Sequence, residues 1–171
     1  MPLLAAFAAF QDWDGVYLFD YNGDRDAWDS NRIHGFFASD SNPAKMAFLP
    51  AAARLFLRGD VAPAAEEAEL RVPAGSVPEL LARGGRAIEP HWEAAGGRPL
   101  DAFRRRLTVS FLPGKKGAPA IVRRTRPGER PGAAGPLRWQ GAGTDQALFT
   151  ADAPSSKAMV GFLGGRTVAL T

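Results

Sequence analysis

Gly15-Val16-Tyr17-Leu18-Phe19-Asp20-Tyr21 is a near-continuous apolar run rich in aromatic and β-branched residues. A run of this length and type predicts a strand buried on both faces, as in a parallel sheet covered by helices. Before it, Leu3 to Phe10 is dominated by alanine and leucine. Leu3, Phe7 and Phe10 stand at helical spacing, so a helix is expected that ends near Gln11–Trp13. After it, residues 22–43 (NGDRDAWDSNRIHGFFASDSNP) are polar and punctuated by Asn-Gly and Asn-Pro. That stretch is too long for a routine connection and reads as a functional loop or lid. Pro43-Ala44-Lys45 then opens a second helix, with Asn42 as N-cap and Pro43 at the first helical position. Met46, Leu49, Ala53, Phe56 and Leu57 form its apolar stripe, Gly59 ends it, and Pro50 inside it predicts a kink or restart. Helix, buried strand, long loop and helix follow the order of βα units.

Past Val61 the composition changes. Ala62-Pro63-Ala64-Ala65-Glu66-Glu67 reads as a linker, and Glu69-Leu70-Arg71-Val72 alternates as a strand. Ser76 to Leu81 suits a short helix, with Ser76 as cap and Glu79 completing a capping box. Short strands are expected at 107–112, 120–122, 137–139, 147–150, 158–163 and 166–170, with Gly164-Gly165 as a hairpin turn between the last two. This half is mostly β and reads as a sandwich or partial barrel.

The chain has 171 residues, 46% of them hydrophobic, 23% charged and none of them cysteine. Such a composition suits a globular protein with a real core rather than a disordered one. Without cysteine there is no disulfide scaffold, thiol nucleophile or thiolate metal site. No apolar stretch is long enough to span a membrane, so a membrane partner is not expected. MPLLAAFAAF has no basic residues before it and no small-residue cleavage site after it, so it does not read as a signal peptide. An opening directly inside an apolar helix suggests a truncated chain. Residues 1–60 carry eight acids and five bases, and 61–171 carry ten acids and sixteen bases. All eight acids of the first segment are aspartates.

The segment Gln11-Asp12-Trp13-Asp14-Gly15-Val16-Tyr17-Leu18-Phe19-Asp20-Tyr21 resembles the last helix-to-strand passage of (β/α)8-barrel glycoside hydrolases. Asn42-Pro43-Ala44-Lys45-Met46-Ala47-Phe48-Leu49-Pro50-Ala51-Ala52-Ala53-Arg54-Leu55-Phe56 resembles their closing eighth helix. Residues 137–150 and 158–170 are similar to the small β-sandwich that follows the barrel in large bacterial hydrolases of this kind. The resemblance implies an α+β chain: the terminal βα portion of a TIM-type barrel (residues 1–61) followed by a mostly antiparallel β-sandwich (62–171). It also implies that the catalytic carboxylates, on earlier barrel strands, lie before residue 1. The absence of glutamate from 1–60 agrees with that. On this reading the chain is the C-terminal part of a carbohydrate-active hydrolase, contributing substrate contacts but no catalytic residue. The alternative is a stand-alone module that binds glycan or protein.

Phe19, Asp20 and Tyr21 end the predicted strand, where barrel pockets are built, and Trp28 and His34 sit in the loop. Aromatic faces suit sugar C–H surfaces and a carboxylate suits hydroxyls, so these five are candidate carbohydrate contacts. The competing reading packs the strand residues into a core and makes Trp28 a loop anchor. Asp20, Asn22, Asp24 and Asp26 place oxygen ligands at every second position, as a Ca²⁺ loop does. Arg25 stands where an EF-hand has glycine and Asn31 where it has glutamate, so an Asn-Gly turn with solvated aspartates competes with calcium. His34 and His91, with no cysteine, do not make a structural zinc site. Arg104–Arg106, Lys115-Lys116 and Arg123-Arg124 are basic, but no aromatic residues interleave with them, so nucleic acid is not the expected partner. The expected partners are carbohydrate and, for an incomplete barrel, either its missing N-terminal portion or a second copy.

Overall fold

The structure, a computed structural model, describes residues 1–23, 32–35, 37–82, 89–114, 116–130, 132, 135–141, 146–165 and 167–171. It is an α+β protein with two small three-stranded sheets. The chain divides into two compact units, one of residues 1–62 with 136–171, the other of residues 63–135. Among the described residues no helix is long and apolar enough to cross a membrane.

The first unit opens with α1 (Pro2–Phe10) and α2 (Pro43–Leu57). Ala5, Ala6, Ala8, Ala9 and Phe10 of α1 are all buried. Alanines let α1 lie close to α2 and to the sheet of this unit. Its C-terminus is a Schellman turn: Trp13 N–H donates to the Ala8 carbonyl and Asp12 N–H to that of Ala9, each at 3.0 Å. The Trp13 ring then meets Phe7 edge-on at 5.9 Å. The turn holds Asp12 at φ 59°, a left-handed conformation that costs a residue with a Cβ about 1 kcal/mol. Asp12→Gly is therefore expected to stabilise the first unit by roughly 0.5–1 kcal/mol, seen as a higher urea midpoint at unchanged m-value.

Helix α2 starts as its sequence predicts, with Lys45 N–H donating to Asn42 Oδ1 at 3.1 Å. It ends in a second Schellman turn, where Gly59 at φ 65° lets Asp60 N–H reach the Leu55 carbonyl at 3.1 Å. Asp60 is then held by Arg58 at 3.1 Å and by the Ser156 hydroxyl. The helix runs unbroken through Pro50, which deprives only the Met46 carbonyl of its donor.

The sheet of this unit is antiparallel, in the order of β4 (Leu137–Gln140), β5 (Leu148–Asp152) and β6 (Lys157–Gly161). Central strand β5 is buried from Leu148 through Ala151. The strand expected at 166–170 does not form among the described residues 167–171. Instead the C-terminal Thr171 is tied to Asp152, its N–H donating to Oδ2 at 3.1 Å, while Lys157 Nζ donates to Asp152 Oδ1 at 2.6 Å. Side-chain anchoring replaces the ladder. Lys157 first, then Thr171, holds the Asp152 carboxyl below the usual range.

The deciding stretch of the sequence differs most. Gly15–Tyr21 forms no strand: Gly15 to Phe19 make no hydrogen bond, and Tyr17 and Phe19 are 94% and 84% exposed. An apolar run becomes a buried strand only if neighbouring strands satisfy its backbone, and no described residue does so.

The second unit contains β1 (Glu66–Pro73), paired in parallel with β2 (Arg106–Leu112) and antiparallel with β3 (Ala120–Thr125). Between β1 and β2 lie a 3-10 turn (Ala74–Ser76), α3 (Val77–Ala82), α4 (Glu89–Ala94) and a second 3-10 turn (Pro99–Phe103). A parallel pair requires such a crossover. Ala68, Leu70 and Val72 alternate onto one face of β1 and pack with Trp92 of α4. The strand begins at Glu66, inside the expected linker. Ser76 does not cap α3: its Oγ accepts from Gly117 N–H and donates to the Gly117 carbonyl, each at 2.8 Å. Glu79 pairs with Lys116 rather than closing a capping box.

On the other face of β1 the register sets Glu69 opposite Thr108 and Val122. Its carboxylate accepts from Ser110 at 2.6 Å and Arg71 at 3.0 Å, with Arg124 at 3.2 Å. The Ser110 and Arg71 hydrogen bonds, and the charges of Arg71 and Arg124, hold the Glu69 carboxyl below the usual glutamate range. A depressed folded pKa contributes stability above the unfolded value, which is lost as pH falls through the folded one. Glu69→Gln is thus expected to lower stability at neutral pH and to flatten its decline between about pH 5 and pH 3, measured by urea unfolding across pH. Arg124, Lys116 and Arg105 of the basic clusters are all ion-paired.

Candidate functional site

The loop that follows the exposed run is closed by backbone and short polar side chains. Ser39 and Asp40 N–H groups both donate to the Tyr21 carbonyl, at 2.9 and 3.1 Å, and the Ser39 hydroxyl donates to that of Asp20 at 3.1 Å. His34 is clipped by Ser41, whose Oγ accepts from His34 N–H at 3.2 Å and donates to its carbonyl at 3.4 Å. Asp40 Oδ1 accepts from Ser41 N–H at 2.7 Å. Lys45, one turn into α2, donates to the carbonyls of Phe37 and Ala38 at 3.3 and 3.1 Å. These bonds carry the loop back to its start and place Phe37 against Phe19, rings edge to face at 5.1 Å.

Two surfaces result. The first is aromatic: Phe19, Tyr21 and Phe37 are 84%, 57% and 55% exposed, and Ile33 is exposed as well. The second is a nearly buried polar pair. His34 Nε2 lies 3.9 Å from Asp40 Oδ2, and neither ring nitrogen has a hydrogen-bond partner. At that distance the pair is an ion contact when the imidazole is protonated, not a hydrogen bond. An apolar groove of about 340 Å³ lies beside the exposed run, lined by Leu4, Val16, Leu18, Leu49, Phe56 and Leu57 among others.

Of the expected carbohydrate contacts, Phe19, Asp20, Tyr21 and His34 are brought to this one loop. Trp28 lies outside the described residues. Phe19 is not core, against the packing alternative, because its ring faces solvent. Of the expected Ca²⁺ ligands, Asp20 and Asn22 are described, with Asp20 Oδ2 packed tightly on Gly23, where a Cβ would sit 2.4 Å away. Asp24 and Asp26 lie outside the described residues, and among the described residues no group of three or more His, Asp or Glu could hold a metal.

Sequence reasoning did not single out Phe37, Ser39, Asp40 or Ser41. The polar FASDSNP run before the α2 cap was the available signal: small polar residues there supply the turn and clip bonds. A second cavity, of about 530 Å³, opens in the other unit beside Trp92, Arg98, Leu107 and Val109. Trp92 turns its Nε1 to the Arg98 carbonyl at 3.1 Å. No protein-family model, curated protein or solved structure matches the chain.

Proposed function

We propose that the chain is a non-catalytic, carbohydrate-contacting part of a (β/α)8-barrel glycoside hydrolase, its first segment the last βα portion of the barrel and its later strands the accessory β-sandwich. The exposed aromatic row of Phe19, Tyr21 and Phe37 carries this reading. Flat apolar rings held at a polar loop suit the C–H face of a pyranose, and Asp20 stands between two of them to accept from hydroxyls. The Gln11–Tyr21 and Asn42–Phe56 motifs support the barrel part of the proposal. The resemblance places the catalytic pair on glutamates of earlier strands, and the absence of glutamate from residues 1–60 agrees with a non-catalytic role for that segment.

The test is titration of the full chain with soluble oligosaccharides of several backbones, followed by calorimetry or NMR. Binding by the natural chain and about fivefold weaker binding by Phe19→Ala are expected, since a stacked ring contributes about 1 kcal/mol. Failure to bind any of them, or equal binding by the variant, removes the carbohydrate reading. The exposed apolar groove favours protein binding as the second reading.

A further inference from the structure

We propose that the cavity of the second unit binds an apolar monocarboxylate, its hydrocarbon body against Trp92 and Val109 and its carboxylate at Arg98. The apolar part comes from the sheet. The register sets Leu70 beside Val109 and Val72 beside Phe111, so these side chains share the face that carries the core of this unit. That face is covered only in part: Leu70 is buried with Trp92 of α4, whereas Val109 and Phe111 are 43% and 62% exposed. The gap between α4, the second 3-10 turn and β2 is the cavity of about 530 Å³, with Leu70, Trp92, Leu107 and Val109 among its walls. Sites for small organic molecules have this size, with apolar walls and a few polar groups.

Trp92 is fixed as one wall. Gly97 has no Cβ to collide with the indole, and Nε1 donates to the Arg98 carbonyl at 3.1 Å. With its one donor used, the ring offers the cavity apolar surface alone.

Charge names the other end of the ligand. Arg98 and Glu93 also line the cavity, both are exposed, and among the described residues neither has an ion-pair partner. Arg123 of β3 donates to the Gly96 carbonyl at 3.4 Å and so brings a second guanidinium to the turn before Arg98. Asp101, the next acid along the chain, is already taken by Arg98 N–H and Arg105. Two cations thus stand against Glu93 at this end. Residues 63–135 carry thirteen basic and eight acidic side chains, a formal +5, which draws anions from further away. A carboxylate matches the two-pronged donor geometry of a guanidinium, and an alcohol or ammonium group does not. The cavity lies in the unit that does not hold the aromatic loop, so the proposal goes beyond the carbohydrate reading and stands or falls separately.

The test is calorimetric titration of the full chain with octanoate, octan-1-ol and octylammonium, three probes with one hydrocarbon body. Saturable binding of octanoate at a single site is expected, with octan-1-ol roughly fivefold weaker and octylammonium weaker still. Arg98→Gln keeps the backbone groups that hold the turn. It should weaken octanoate roughly fivefold and leave octan-1-ol unchanged. Val109→Trp fills the cavity from a partly exposed position and should abolish binding of both. No binding of octanoate up to millimolar concentration overturns the proposal. So does equal affinity for octanoate and octylammonium, or octanoate binding that persists in a folded Val109→Trp chain and therefore sits elsewhere. Should Val109→Trp fail to fold by circular dichroism, Arg98→Gln decides alone, and equal octanoate binding by that variant overturns the proposal.

Discussion

Phe149→Ala is expected to destabilise the first unit by about 3–5 kcal/mol, the range for truncating a buried phenylalanine. Phe149 is 1% exposed and sits on β5, the central strand of its sheet, opposite Trp139 on β4 and Val160 on β6. Its neighbours Leu148 and Ala151 are buried as well, and α1 packs on this strand with almost no solvent-exposed side chain of its own. The lost ring therefore leaves a cavity in a place where the main chain is held from both sides, so collapse is limited. A loss of that size is a large part of the 5–15 kcal/mol of a whole domain. Urea unfolding followed by far-ultraviolet circular dichroism should show the midpoint of the first unit shifted to much lower urea. Phe149→Leu, which keeps most of the volume, should recover more than half of the loss. Equal midpoints for Phe149→Ala and the natural chain would mean that the ring is not packed as described.

Asp101→Ala is expected to cost the second unit about 2–3 kcal/mol. Asp101 is 5% exposed, and its two oxygens serve different masters. Oδ2 accepts from Arg98 N–H at 2.8 Å, opening the 3-10 turn, while Oδ1 accepts from Arg105 Nη1 at 2.9 Å. Arg105 also reaches Glu66 at 2.8 Å, so the carboxylate links the crossover to the start of β1. Removing it strips a backbone donor of its acceptor and breaks the Arg105–Asp101 ion pair, while the Arg105–Glu66 pair stays. The guanidinium is partly exposed, so water screens part of the loss and the lower end of the buried-pair range applies. Asp101→Asn keeps one acceptor and should lose roughly half as much, about 1–1.5 kcal/mol. Guanidinium unfolding of the three chains should rank them natural, Asn, Ala. An Ala variant as stable as the natural chain would show that the linkage contributes nothing.

The parts legible in the sequence were those set by near neighbours along the chain. Helix α1 and its end, helix α2 with Asn42 and Gly59, and the alternation of Ala68, Leu70 and Val72 on β1 all depend on contacts within a few residues. The short α4 was missed because Glu89–Ala94 has too few turns to show a period. Ser76 was misplaced because the same hydroxyl can cap its own helix or bond Gly117, and only the fold brings Gly117 within reach. At the candidate site the residue types Phe19, Asp20, Tyr21 and His34 were readable. Their companions Phe37 and Asp40 were not, since a loop closure, not spacing, brings them there.

By itself the sequence determined α1, α2 with its Asn42 cap and Gly59 end, and the α+β character, because each follows from local backbone preference and side-chain period. Only the tertiary structure decided what became of Gly15–Tyr21. An apolar run states that burial is favourable, but burial needs a surface and a backbone partner supplied from elsewhere. Here Val16 and Leu18 line an open groove beside α1 and α2, no described strand lies alongside, and Tyr17 and Phe19 face solvent. Hydrophobicity is a property of the residue; whether it is buried belongs to its neighbours.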